Sequence, residues 1–245
     1  MKLHKFIQRI CAATVASALT LSLCTPVLAE GIAALPAPTS GTSQPDETGD
    51  VPIDPAHFPD ENFRKYLGQK AIDDDKNGIL SQTEREKVTA IVLHSAGNIS
   101  DLTGIKYFPN LKELYCNGGD LANLDVSQNT KLTNLYCYNN QLTSLDVSGN
   151  TKLTELDCSD NQLANLDVSE NPELTYLKCG SNQLTRLDLH VNTALETLIC
   201  DNNQLTSLNL SSNTALTQVY CSGNKRQITV GETGQFDLSA LKGFD

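Results

Sequence analysis

Six cysteines recur at an unbroken interval of 21 residues: Cys116, Cys137, Cys158, Cys179, Cys200 and Cys221. A fixed period of this length constrains the fold more than any single residue does, because it marks a solenoid of stacked, near-identical coils. Each unit holds two half-turns that echo one another, L-x-x-L-x-C-x-x-N and then L-x-x-L-D-V/L-x-x-N. Their leading leucines run from Leu111, Leu121 and Leu132 through Leu142, Leu153 and onward to Leu216, in alternating steps of ten and eleven.

Within a half-turn the Leu and Cys (or Val) positions alternate with period two, which is strand spacing with both side chains pointing inward. The closing asparagines, such as Asn140 and Asn150, suit tight bends because their side chains bond local backbone groups. So short an interval between strands leaves little room for a helix. The expectation is a mostly-β solenoid with two short parallel strands per 21-residue coil, hence two parallel sheets, preceded by a small α-helical cap. A lone coil buries too few side chains to offset its ordering entropy, so the coils must stack to fold.

This pattern resembles the leucine-rich-repeat family, in the short nested bacterial variety found in secreted, internalin-like proteins. The resemblance covers about Val88 to Asn224, and its frame falls on Leu132, Leu135, Cys137 and Asn140 and again in the following coils. Gly119 stands where the first regular unit should carry Asn, and Lys225 and Arg226 interrupt the frame after the last. Val88, Ile91, Leu93, Leu102 and Ile105 read as an irregular opening coil. The family implies a binding surface rather than a catalytic pocket.

Cysteines in an exported chain invite a disulfide reading. Equivalent positions on stacked strands, however, lie about 4.8 Å apart with parallel side-chain directions. A disulfide needs converging β-carbons nearer about 3.8 Å. The six are therefore expected to be reduced and buried, each in place of a core leucine. The asparagine columns are expected to satisfy backbone groups. The column Asp125, Asp146, Asp167 and Asp188 is expected to bond neighbouring hydroxyl residues such as Ser127 and Ser148 rather than a cation.

Ahead of the repeats, Asp73, Asp75, Asn77, Gly78, Ile79, Ser81 and Glu84 occupy every constrained position of an EF-hand calcium loop. Such a loop takes oxygen ligands at positions 1, 3, 5, 9 and 12, a backbone carbonyl at 7 (here Ile79) and glycine at 6. Leu80 sits at the apolar anchor. Pro59 is read as opening a preceding helix with Phe63, Tyr66 and Leu67 on one face, and Ser81 as starting the next. A capping box accounts for Ser81 and Glu84 but not for the earlier acidic residues. The cofactor expected is Ca2+, at a lone and structural site of about 0.1–1 mM affinity.

The N-terminus reads as a secretory signal, with Lys2, Lys5 and Arg9 before an apolar run to Leu23 and a small-residue cleavage site ending at Ala29. Its removal changes the formal net charge from −11 to −14, because those three basic residues leave and no acidic one does. So acidic a chain is a poor partner for nucleic acid. The expected organisation is signal peptide 1–29, disordered linker 30–51, helical EF-hand-like segment 52–87, solenoid 88–224 and C-terminal segment 225–245. No membrane span is read in the mature chain, which is expected to be secreted or surface-associated and monomeric.

The histidines outside the signal, His57, His94 and His190, form no metal pair or nucleophile motif, so no catalytic residue is assigned and the chain reads as a non-enzyme. Tyr115, Tyr136, Tyr138, Tyr176 and Tyr220 fall on the outward positions of the Cys-containing strands. Tyrosine offers apolar area and a hydroxyl at low entropy cost. These five are the candidate partner-binding residues, for an extracellular protein or glycan, and are expected to be solvent-exposed. The rival reading is a structural acidic spacer in a surface assembly.

Overall fold

A computed structural model describes residues 49–93 and 98–224. The expected signal peptide, the linker up to residue 48, His94 and the 225–245 segment lie outside the described residues. The described residues all belong to one compact unit.

The elements run β1 (Val51–Pro52), α1 (Glu61–Leu67), β2 (Ile79–Leu80), α2 (Gln82–Lys87), β3 (Ala90–Val92), a 3-10 turn (Ile105–Tyr107), and then β4 (Glu113–Tyr115), β5 (Asn134–Tyr136), β6 (Glu155–Asp157), β7 (Tyr176–Lys178), β8 (Thr197–Ile199) and β9 (Gln218–Tyr220). Strands β3 to β9 form one parallel seven-stranded sheet in chain order. From β4 onward the register advances by the 21-residue repeat, Leu114 facing Leu135, then Leu156, Leu177, Leu198 and Val219. The solenoid is as the periodicity predicts.

The second sheet is not formed. In the alternate half-turns the period-two burial holds, with Leu145 and Val147 inward and Asp146 outward. Their backbones, however, meet the next coil through isolated bonds such as Gln141 N–H to Leu121 C=O, 2.9 Å, rather than a ladder. Asp125, Asp146 and Asp167 each accept the N–H of the serine two residues on at 2.9–3.0 Å, the local side-chain-to-backbone bond typical of a bend. Three of the column's aspartates therefore bond serine neighbours through backbone N–H groups, as expected, while Asp188 takes the His190 N–H at 3.1 Å.

The asparagine columns tie coil to coil. Asn140 donates to the Cys116 and Cys137 carbonyls at 2.9 Å and accepts Leu121 N–H at 3.1 Å, and Asn161, Asn182 and Asn203 repeat the pattern. Asn150 bonds the Val126 and Asn129 carbonyls at 3.0 Å, but its Oδ1, like that of Asn129, Asn171, Asn192 and Asn213, has no protein donor. The left-handed residue of each bend is the one before the first column: Asn139, Asp160, Ser181 and Asn202 have φ of 51–54°. Gly119 replaces the first asparagine because a Cβ there would lie 2.6 Å from the Ile99 carbonyl oxygen of the opening coil.

A single core runs from Val51 to Leu216, and its leucines are almost wholly excluded from solvent. Each contributes about 1.5–3 kcal/mol. The cysteines share it: Cys116, Cys137, Cys158, Cys179 and Cys200 are buried and form no disulfide, and Cys221 is partly buried. Burial pushes the Cys116 and Cys158 thiols up to about 12.

At the N-terminal end, α1 begins at Glu61 with Asp60 as its cap, so Pro59 lies before the helix rather than opening it. Phe63 and Leu67 are buried on its inner face, and Tyr66 Oη accepts Val92 N–H at 3.0 Å. Phe58 meets Phe63 and Tyr107 edge-on, each at 5.7 Å between centroids. Gly104, at φ +99°, gives Phe58 its room, since a Cβ there would come within 2.3 Å of the ring. Val51, expected as the last residue of the linker, is instead buried in β1 opposite Leu80.

Candidate functional site

Two groups of residues stand out, an acidic loop in the cap and the outward face of the sheet. In the loop, oxygens of Asp73, Asp75 and Glu84 lie within 4.8 Å of one another. The turn that gathers them depends on left-handed backbone at Lys76 and at Gly78, whose φ is +78°. Asp73 and Glu84 are buried, and Asp75 is exposed. Asp73 Oδ2 accepts Gly78 N–H at 3.1 Å, whereas its buried Oδ1 has no protein partner. A carboxylate oxygen in that condition suits a cation.

The remaining loop residues are held close by. Asn77 donates from Nδ2 to Asp75 Oδ2 at 2.7 Å and accepts Ile79 N–H at 2.7 Å. Ser81 and Glu84 form the capping box of α2, with Ser81 N–H and Oγ on Glu84 Oε2 at 2.9 and 2.7 Å. Glu84 Oε1 accepts Asp74 N–H at 2.8 Å. Burial alone would raise the Glu84 pKa, but the hydrogen bonds from Ser81 and Asp74 outweigh it and hold the group below its usual value. The capping box and the acidic cluster coexist, and the donor set, all oxygen, is that of a hard cation.

Sequence reasoning missed β1. Val51 and Pro52 pair antiparallel with Leu80 and Ile79, and Ile53 N–H reaches Gly78 C=O at 2.9 Å. This strand pairs with the loop itself. The Val51-Pro52-Ile53 run, split between the expected linker and the expected helical segment, was the one signal of it in the sequence.

The outward face of the sheet carries the tyrosines. Tyr115 and Tyr136 face each other across β4 and β5, their rings stacked at 4.9 Å and 11°. Tyr138 lies just past β5, and Lys178 Nζ sits 5.5 Å from its ring centroid. Tyr176 is on β7 in register with Glu155. Four of the five therefore gather over β4–β7, and Tyr220 stands apart on β9. The expectation of open exposure holds only for Tyr220, at 52%; the other four are half-buried, covered by one another and by charged neighbours.

Those neighbours were also missed. Tyr115 Oη donates to Glu113 at 3.3 Å, Tyr136 Oη donates to Glu155, and Lys178 bonds Asp157 at 3.2 Å. Burial first, then the adjacent glutamates, raises both the Tyr115 and the Tyr136 pKa. The outward column that starts two residues before Tyr115, read at the 21-residue period as Glu113, Asn134 and Glu155, was the signal that could have found the two glutamates. Of the histidines, His57 Nδ1 lies 2.8 Å from Asp54 and His190 Nδ1 2.9 Å from Asp188, each pairing with a turn aspartate.

A family model described as leucine-rich repeats, two copies, matches residues 130–171. No curated protein matches the chain. Among solved structures, the functional domain of InlJ from Listeria monocytogenes, which includes a cysteine ladder, is 32% identical, with a TM-score of 0.51 over 78% of this chain and 50% of that one. The chain thus spans half the length of that domain. Internalin C2 from Listeria monocytogenes is 22% identical, with a TM-score of 0.57 over 78% of this chain and 95% of that one. A leucine-rich-repeat protein of Leptospira interrogans is 23% identical, with a TM-score of 0.56 over 62% of this chain and 42% of that one. The latter two likenesses are of fold alone. No helix among the described residues is long and apolar enough to cross a membrane.

Proposed function

We propose that this leucine-rich-repeat solenoid of the internalin type is an exported, non-enzymatic binding protein. It engages an extracellular protein or glycan through the outward face of its sheet, and a calcium ion in the Asp73–Glu84 loop stabilises its N-terminal cap. The observation that carries the binding reading is the gathering of Tyr115, Tyr136, Tyr138 and Tyr176 over four adjacent strands, on a scaffold that needs none of them in its core. Half-buried, preorganised aromatics lose little entropy on contact and serve as interface anchors. Export rests on the basic, apolar and small-residue order of the first 29 residues.

The calcium reading rests on the buried, unpartnered Asp73 Oδ1 within the Asp73, Asp75 and Glu84 cluster. Asp73, Asp75, Asn77, Ser81 and Glu84 would offer side-chain oxygens and Ile79 its carbonyl. Bound calcium would supply a fixed double positive charge that offsets the repulsion between these carboxylates. Because β1 pairs with β2 inside the loop, holding the loop also holds the start of the described chain.

Two experiments test these readings. Affinity capture from host-surface and cell-wall extracts should recover a partner with the native protein and lose it when Tyr115 and Tyr136 are changed to Ala. Undiminished recovery moves the site off this face. Calorimetric titration with calcium should show about one site at about 0.1–1 mM that disappears in Glu84→Ala. Binding that survives this change places the ion elsewhere.

A further inference from the structure

Lys178 shows how the sheet face accommodates a cation. Its ammonium lies 3.2 Å from Asp157 Oδ2 and 5.5 Å from the Tyr138 ring centroid. Asp157 is buried and firmly oriented, its Oδ1 accepting Ser159 N–H at 3.1 Å and Oγ at 2.6 Å. Carboxylate on β6, ammonium on β7 and the aromatic ring just past β5 thus form one unit.

The same unit recurs nearby without its cation. Glu113 receives the Tyr115 hydroxyl and Glu155 the Tyr136 hydroxyl, with the two rings stacked between them. Among the described residues no Lys or Arg forms an ion pair with either glutamate. The two glutamates occupy one column of the sheet two strands apart, hence about 10 Å from each other. Hydroxyl donation to a carboxylate makes a phenol ring more electron-rich, which strengthens its attraction for a cation. The outward positions of β4–β9 carry three carboxylates, Glu113, Glu155 and Asp157, and one ammonium, Lys178.

From this geometry we infer that the Glu113–Tyr115–Tyr136–Glu155 patch takes a protein segment presenting Lys or Arg side chains, which complete the two units that lack a cation. This deepens, and rests on, the sheet-face reading above. A second copy of the chain is a poor occupant because it brings the same excess of carboxylates and a net charge of −11. A neutral glycan uses the rings but leaves two carboxylates without counter-charge.

Binding of a short lysine-rich peptide, and of the same peptide with Gln at each Lys, is measured by fluorescence anisotropy. The lysine peptide should bind and the glutamine peptide should not. Glu113→Gln with Glu155→Gln should weaken binding by about ten-fold or more, and so should Tyr115→Leu with Tyr136→Leu. Asp146→Asn with Asp167→Asn removes the same charge from the other side while keeping the serine-bonding oxygens. It should stay within about two-fold of the native protein. Circular dichroism confirms that each variant is folded.

Equal losses in the sheet-face and control variants reduce the effect to net charge and overturn the proposal. Failure of the native protein to bind the lysine peptide also overturns it. Binding to a neutral oligosaccharide that needs the tyrosines and ignores the glutamates overturns the cationic partner but keeps the sheet face. If tyrosine changes affect no ligand, peptide, sugar or captured protein, the sheet-face reading itself fails.

Discussion

At the scale of single residues, the cysteine column shows how one atom changes chemistry while leaving a core intact. Sulfur fills the space of a leucine branch in coil after coil, and parallel strand geometry keeps neighbouring thiols from converging. Burial raises all five thiols from Cys116 to Cys200, so the thiolate needed for exchange is scarce at neutral pH. A thiol reagent at pH 8 should therefore modify Cys116, Cys137, Cys158, Cys179 and Cys200 slowly in the native protein and rapidly after denaturation. Rapid native modification, or internal disulfides by mass spectrometry, contradicts this packing. These residues were legible in the sequence because period and burial determine their environment. The left-handed residue was less legible: it is Asn139, one place before Asn140, whose amide is taken up by four backbone bonds.

At the scale of elements, the second half-turn and the cap are where pattern and structure part. Leu145 and Val147 have a strand's alternation, yet no ladder forms there, and Asp146 between them accepts the Ser148 N–H. A periodicity records which side chains are inward, not where the backbone bonds go. In the cap, Asp60 joins two elements: Oδ1 caps α1 through Asn62 and Phe63 N–H, while Oδ2 accepts Ser100 N–H at 2.9 Å from the opening coil. Burial pushes its pKa up, but those hydrogen bonds outweigh this and hold it below the usual aspartate value. Its contribution to stability is therefore fully present above the unfolded aspartate pKa and is lost as pH falls through the lower folded one. Asp60→Ala should cost about 1–2 kcal/mol at neutral pH in chemical denaturation. Asp60→Asn should flatten the acid limb of the stability–pH curve, and an unchanged limb removes Asp60 from the acid transition.

At the scale of the whole molecule, the solenoid and its 21-residue register were readable because every coil repeats the same burial problem and the same solution. The acidic loop was readable because its oxygen-bearing residues lie close together in sequence. What was not legible was made by pairing distant segments: β1 against the acidic loop, and the Glu113, Glu155, Asp157 and Lys178 positions that fold around the tyrosines. Tyrosine columns could be counted along the chain, whereas the charged neighbours that half-bury them emerge only when strands stack in register.

The central claim is that the protein binds through this sheet face, and site-specific photo-crosslinking tests it most directly. A photoreactive residue is placed in turn at Tyr138 or Tyr176 on the face and at Ser144 on the other half-turn, and each protein is irradiated in the extract that yields the partner. The prediction is one partner adduct from positions 138 and 176 and none from 144. An adduct from position 144 with none from the sheet positions would place the binding surface on the opposite side and contradict the claim.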